Sequence, residues 1–272
     1  MSGQEILKTL FVAVVGVGGL GTHVVQQLAY LGVGEIGLID PETLEVSNLN
    51  RYVGAFPEDI GKPKVEVGEQ IVARIDAKVE VRKVYRRLTS DEAFAVVKQA
   101  DYVFGCVDND ATRMILNELC LAYRRPFFDL ATEIVPGDRL VYGGRVSYIS
   151  ESNGCLYCLG LLDRSEVSLG FQSPEHRKDL RNLYGLDQAE LGRSGPSVVS
   201  LNGIIASLGV TEFMAVATGL RPGIPLLNYY GEQGTVRLSK DQGDENCYFC
   251  HSLGGLKEKA GVEQYIHLQN MD

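Results

Sequence analysis

One stretch constrains the fold more than any other: Gly16-Val17-Gly18-Gly19-Leu20-Gly21, set where a β-forming run over 11–15 gives way to Val24, Leu28 and Leu31 at helical spacing. A strand that turns at once into a helix opens a βαβ unit, in which the helix returns over the face of a parallel sheet. Gly32 and Gly34 end that helix, and the alternation continues. β-Forming runs over 35–39, 78–84, 102–105 and 127–130 are separated by helical patterns at Val67, Ile71 and Ile75 and at Ile115, Leu119 and Ala122. This alternation predicts a parallel sheet with crossover helices.

Beyond Leu130 the pattern changes. Residues 139–149 read as a strand, followed by a first Cys-x-x-Cys pair and a polar stretch over 163–195 with no sustained apolar period, which is expected to be a mobile loop. A long buried helix runs from Pro196 to about Thr218, then come strand runs over 226–230 and 235–238 and a second Cys-x-x-Cys pair. The whole chain, 272 residues, lies within the range of one large α/β domain. The fold class expected is α/β: a Rossmann-like, mostly parallel sheet with an antiparallel C-terminal extension and a four-cysteine zinc site.

Composition excludes some partners. A formal net charge of -9 opposes a nucleic-acid backbone as ligand. The densest basic cluster, Arg82-Lys83 with Arg86-Arg87, reads as a solvated strand end. No basic segment leads into an apolar stretch at the N-terminus, so a cytoplasmic protein is expected. The apolar stretch 198–220 contains Ser200, Asn202, Ser207, Thr211 and Glu212, which favours a buried helix over a membrane span.

The glycine turn carries chemistry as well as geometry. Glycines let backbone N–H groups approach phosphate oxygens, and the helix N-terminus adds a partial positive charge of about half a unit. Asp40 ends the second strand run, about 20 residues on, where an acid can hydrogen-bond ribose hydroxyls. To this point a nicotinamide or flavin enzyme fits as well as an ATP enzyme. The residues after Asp40 separate them: Asn48, Arg51, then Gly61-Lys62-Pro63-Lys64, and later Cys106-Val107-Asp108-Asn109 and Arg113. This ordered set resembles the ThiF/MoeB/HesA family of adenylating enzymes, relatives of ubiquitin-activating enzyme, over roughly residues 10 to 251. The resemblance implies that Gly16, Gly18, Gly19 and Gly21 orient the phosphates of ATP, that Asn48 and Arg51 bind them, that Lys64 offsets their charge, that Asp108 holds Mg²⁺ and that Asp40 fixes the ribose. It divides the chain into a nucleotide-binding half, 10–135, and a half, 136–272, with the zinc site, crossover loop and acceptor surface. Taken singly, Arg51 and Lys64 also read as surface charges, and Asn48 and Asp108 as helix caps.

Six cysteines in a chain read as cytoplasmic point to metal or thiol chemistry. Cys155-x-x-Cys158 and Cys247-x-x-Cys250 supply four thiolates, suited to tetrahedral structural Zn²⁺; redox chemistry or paired disulfides are the alternatives. The family commonly has this zinc arrangement. Cys106 and Cys120 lie on apolar segments and read as packing residues, and His251 is not needed as a ligand.

A further match, Gly195-Pro196 through Gly203, resembles the segment after the family's crossover loop, but the chain departs from the family there. No cysteine occurs between Cys158 and Cys247, so a thioester on this polypeptide is not expected, and the sequence leaves open whether a separate thiol-bearing transfer protein supplies the missing cysteine. Ser165, Ser168, Ser173 and Ser194 read as solvated loop residues. About ten residues precede the first strand run, with Lys8 the only basic one, so the sequence leaves open whether this chain supplies the arginine that the family often gives to its dimer partner. The resemblance implies a homodimer that adenylates the C-terminal carboxylate of a small ubiquitin-like or sulfur-carrier protein ending in Gly-Gly. The alternatives are a peptide-adenylating enzyme, an inactive adaptor of the same fold and an NAD-dependent oxidoreductase.

Overall fold

The computed structural model describes residues 2–135, 140–150, 153–172, 197–239 and 243–266. Eight strands form one sheet in the order β3-β2-β1-β4-β5-β6-β7-β8. β1 (Phe11–Val15), β2 (Glu35–Ile39), β3 (Glu80–Val84), β4 (Tyr102–Gly105) and β5 (Phe127–Val135) pair in parallel, while β6 (Val141–Ile149), β7 (Leu226–Tyr230) and β8 (Thr235–Leu238) extend the sheet antiparallel. The expected architecture is therefore present.

Three strands differ from expectation for local reasons. β3 starts at Glu80 because Asp76 turns the chain first: its carboxylate accepts from Lys78 N at 3.0 Å and its carbonyl from Val79 N at 3.2 Å. β5 runs on through Thr132 and Glu133 to Val135 because β6 pairs along its full length, down to Val135 opposite Val141. β6 begins at Val141, and Arg139 lies outside the described residues.

The helices are α1 (Gly3–Leu7), α2 (Gly19–Leu31), α3 (Lys64–Ile75), α4 (Asp91–Gln99), α5 (Asp110–Ala122), α6 (Arg164–Gly170) and α7 (Val199–Ala217). Gly32 closes α2 in the left-handed region, φ +68°, which only glycine adopts freely. Because successive strand residues point to opposite faces, β1 feeds two cores. Phe11, Ala13 and Val15 pack with Phe94 and Val97 of α4 and Ile115 and Leu119 of α5. Val12 and Val14 pack with Val24 and Leu28 of α2, Val72 of α3 and Ile205 and Phe213 of α7.

Helix α7 is long and apolar enough to cross a membrane by length and composition, with half of its most apolar window buried in the fold. The buried-helix expectation describes its inner side, where Phe213 meets Tyr102 and Phe104 edge-on at ring separations of 5.1 and 5.7 Å. Val199 and Ile204 on its outer side remain exposed. Its buried charge, Glu212, is satisfied by an ion pair with Arg221 and by the Ile224 amide at 3.2 Å. The basic strand end is likewise occupied: Arg82 pairs with Glu35 at 2.7 Å and Lys83 with Glu69 at 2.6 Å.

The mobile loop expected over 163–195 needs correction at its start. Asp163 caps the Ser165 and Glu166 amides, and α6 forms from Arg164 to Gly170. Seven residues are too few to show a helical period, and the cap is the only local signal. Residues 173–196 lie outside the described residues. The aromatic core gives a direct test: Phe213→Ala is expected to lower stability by about 3–5 kcal/mol, measured by chemical denaturation.

Candidate functional site

Strand order reverses between β1 and β4, and open α/β sheets bind ligands in the crevice at the carboxyl ends of such a pair. Gly16 and Cys106 follow those two strands and meet there. Gly16 has φ +88°, and a Cβ on it would lie 2.7 Å from the Cys106 carbonyl oxygen. Gly21 lets α2 settle on the turn, since a Cβ there would stand 1.9 Å from the Gly16 oxygen. A Cβ on Gly18, the residue that starts α2, meets nothing within 4 Å, so backbone faces open space. The Thr22 amide donates to the Gly18 carbonyl at 2.9 Å as the first helical bond. The amides of Gly19, Leu20 and Gly21 thus begin the helix without intrahelical acceptors, an arrangement suited to an anion.

Asp40, 5% exposed, braces this turn. Its carboxylate accepts from Val17 N at 2.7 Å and from Glu42 N at 2.8 Å. Burial pushes its carboxyl above the usual carboxylate range, while the Lys64 charge and the two amides pull it back. Lys64 opens α3 after Pro63 and is itself buried, so it is no surface charge. Its ammonium pairs with Glu42, an exposed side chain that sequence reading does not single out, and its carbonyl accepts the Tyr52 hydroxyl at 3.0 Å.

Arg51 reaches the same turn from the loop after β2. A Cβ on Gly19 would lie 3.0 Å from Arg51 Cγ and 2.9 Å from Asn202 Nδ2, so a side chain from that loop and one from α7 converge on the glycines. The Arg51 guanidinium donates to the Ser47 carbonyl at 2.7 Å and to Asn50 Oδ1 at 3.1 Å. Asn48 accepts from the Glu45 amide at 3.1 Å, which makes it a cap of the short 3-10 turn Val46–Asn48 in this state. In the sequence Asn202 is only a polar residue in an apolar helix; buried in the fold, it bridges Ser197 at 3.0 Å and Thr132 at 3.2 Å.

Asp108 follows β4 on the other side of the crevice. The helix-cap alternative for it does not hold, because Asn109 is the cap and accepts the Thr112 amide at 2.8 Å. The Asp108 side chain is exposed and accepts no hydrogen bond among the described residues, so both its oxygens are open to a cation. Arg113, one turn into α5, donates to the Val107 carbonyl at 2.7 Å and to Asp110 at 2.9 Å.

A model of the ThiF family matches residues 1–254. The chain belongs to the ThiF family. Its relatives include the adenylyltransferase and sulfurtransferase MOCS3 of Culex quinquefasciatus, 28% identical over 100% of this chain and 57% of its own length. MOCS3 of Danio rerio is 33% identical over 97% of this chain and 53% of its own. The sulfur carrier protein ThiS adenylyltransferase of Escherichia coli is 32% identical over 58% of this chain and 61% of its own. This ThiF-family chain thus spans little more than half the length of the MOCS3 proteins. Among solved structures, E. coli MccB with ATP superposes with a TM-score of 0.69 at 19% identity, over 91% of this chain and 68% of that one, a likeness of fold.

The four knuckle cysteines converge although the pairs are 92 residues apart. Their sulfurs lie within 4.8 Å of one another, with Cys155 to Cys247 at 3.8 Å and Cys158 to Cys250 at 3.7 Å. Four sulfurs about 2.3 Å from one zinc stand about 3.8 Å apart, so the set fits a closed tetrahedral site. The first knuckle is fixed to α5, where buried Asn117 accepts the Leu156 amide at 3.0 Å. His251 is exposed and outside this cluster. Burial pushes the Cys106 and Cys120 thiols well above their ordinary range, as expected for packing residues.

Two variants test these assignments. Asp40→Asn sets an amide NH₂ against one of two backbone N–H donors and is expected to cost about 1–3 kcal/mol in denaturant stability; an unchanged midpoint would show that the carboxylate does not hold the turn. Cys247→Ser is expected to lower both bound metal, measured by elemental mass spectrometry, and melting temperature. Full metal retention would remove Cys247 from the ligand set.

Proposed function

We propose that this chain is an ATP- and Mg²⁺-dependent adenylyltransferase that activates the C-terminal carboxylate of a small ubiquitin-like or sulfur-carrier protein ending in Gly-Gly. The observation that carries the reading is the glycine turn of a ThiF-family chain with Arg51 packed on Gly19, the Lys64 charge acting on the Asp40 that braces the turn, and the Cys106–Val107 peptide that leads to Asp108 beside Gly16. Two cations beside a helix N-terminus suit a triphosphate. A nicotinamide dinucleotide carries less charge to neutralise.

The carboxylate is ionised at neutral pH and needs no general base. Its oxygen attacks the α-phosphorus, the bond from that phosphorus to the α–β bridging oxygen breaks, and pyrophosphate departs with the electron pair. Catalysis is then positioning and charge stabilisation. The α2 amides and Asn48 orient phosphate oxygens, Arg51 and Lys64 offset the charge that develops, and Asp40 holds the ribose. To do so Lys64 exchanges Glu42 for phosphate, and Arg51 gives up the Ser47 carbonyl. Asp108 would hold Mg²⁺, which when bound would supply charge neutralisation for the departing pyrophosphate. Zn²⁺ in the four cysteines is structural, because four protein thiolates leave no position for substrate.

The same reading assigns residues 10–135 to the nucleotide and 136–272 to the zinc site, crossover loop and acceptor, puts the protein in the cytoplasm as a homodimer, and involves no thioester on a cysteine of this chain. The test is exchange of labelled pyrophosphate into ATP with candidate carriers ending in Gly-Gly. Exchange that depends on one carrier is expected, and Arg51→Ala and Asp108→Ala should each reduce it at least about 100-fold with unchanged melting. Full exchange by both variants would overturn the site, and NAD binding without exchange would overturn the function.

A further inference from the structure

Helix α6 is bound to the first turn of α5 by a reciprocal pair of hydrogen bonds. The Asp110 carboxylate accepts the Asp163 amide at 2.7 Å, and the Asp110 amide donates to Glu166 at 3.1 Å. The two helices touch closely, since a Cβ on Gly170 would lie 2.3 Å from that of Ala111. At its far ends α6 is anchored elsewhere. Arg164 sits over the ring of Tyr157, between the first two knuckle cysteines, at 4.7 Å, and Phe171 stacks on Tyr265 near the end of the described chain at 5.4 Å.

The contacts continue from Asp110 toward the crevice. Its carboxylate also holds Arg113 at 2.9 Å, and Arg113 fixes the Val107 carbonyl at 2.7 Å, the peptide that carries Asp108. Arg113 is steadied from behind by Asp129, fully buried on β5, at 3.3 Å. Asp108 is exposed and makes no side-chain hydrogen bond among the described residues, though its charge acts on Arg113. Arg113 therefore governs the Asp108 carboxylate twice, by its charge and by the backbone carbonyl it holds, and Arg113 is in turn held by Asp110.

We propose that Glu166 is a positioning residue for metal–nucleotide binding: it holds Asp110 and, through Arg113 and the Val107 carbonyl, sets where Asp108 presents its oxygens. The proposal rests on the reading of Asp108 as the carboxylate that takes the divalent cation of ATP. Groups that orient a metal-binding residue through one intermediary commonly change metal affinity by 10- to 100-fold when removed, with little effect on parts of the ligand the metal does not touch. Glu166 also satisfies one of the first amides of α5, so its loss weakens the turn from which Arg113 extends.

The test is calorimetric titration of ATP into the full chain at graded Mg²⁺ and again in EDTA, with Glu166→Ala, Glu166→Gln and Gly170→Ala. Glu166→Ala is expected to raise the Mg²⁺ needed for half-maximal ATP binding about tenfold while leaving affinity in EDTA unchanged. Glu166→Gln keeps an acceptor for the Asp110 amide and should behave as the unsubstituted chain. Gly170→Ala, which forces α6 away from Ala111, should shift Mg²⁺ dependence in the same direction as Glu166→Ala and remains available should that variant fold poorly. An unaltered Mg²⁺ dependence in Glu166→Ala and Gly170→Ala, or an equal loss of affinity with and without Mg²⁺, would overturn the inference alone. An unsubstituted chain whose ATP binding ignores Mg²⁺ would overturn the reading of Asp108 and the inference with it.

Discussion

The backbone contact between Gly16 and the Cys106 carbonyl is the constraint on which the rest of the site depends. It joins the ends of the two strands that diverge at the switch point, and it holds only because position 16 has no side chain and a positive φ. With the turn pressed against β4, α2 points its first amides into the crevice and the Asp108 loop stands opposite. A residue with a Cβ at position 16 would part the two walls of the site before it altered any ligand contact.

Around that contact, buried charge does the positioning. Asp40 braces the turn from the β2 side, with Lys64 close enough to offset its charge. On the β4 side Asp129 lies between Arg113 and Arg145, each at 3.3 Å, and Arg145 also donates to the Leu161 carbonyl beyond the first knuckle at 2.9 Å. Buried ion pairs are weak contributors to stability, because desolvation offsets much of their attraction. What they supply here is direction: each fixes a backbone group that a neighbouring site residue needs.

The parallel half is legible in the sequence because its strands are short apolar runs closed by Gly or Asp, so β1, β2 and β4 end where the pattern ends. The glycine turn, Asp40, Arg51, Lys64 and Asp108 are legible as an ordered set; in the fold Arg51 packs on Gly19, Asp40 holds the Val17 amide and the Lys64 charge acts on Asp40. Elements held by tertiary contacts are not. The far half of β5 is interrupted by Thr132 and Glu133 and exists because β6 pairs with it, and α6 shows only its Asp163 cap. Helix α4 carries a usable signal, Ser90 followed by Asp91 and Glu92, that apolar periodicity alone passes over. Glu42, Asn202 and Glu166 have no local pattern, since each is given its place by a partner distant in sequence.

The paired cysteine knuckles bear on how such a chain can change over time. They close an excursion of 92 residues, and the entropy of closing a loop grows only with the logarithm of its length, about 0.6 kcal/mol for each doubling. Lengthening that excursion therefore costs little through loop closure alone, as long as α6, α7 and the strands that bring the two knuckles together are kept. The glycine turn tolerates no such freedom. Change in chain length is therefore tolerated on the side of the sheet that the cysteines close and resisted at the turn that joins β1 to α2.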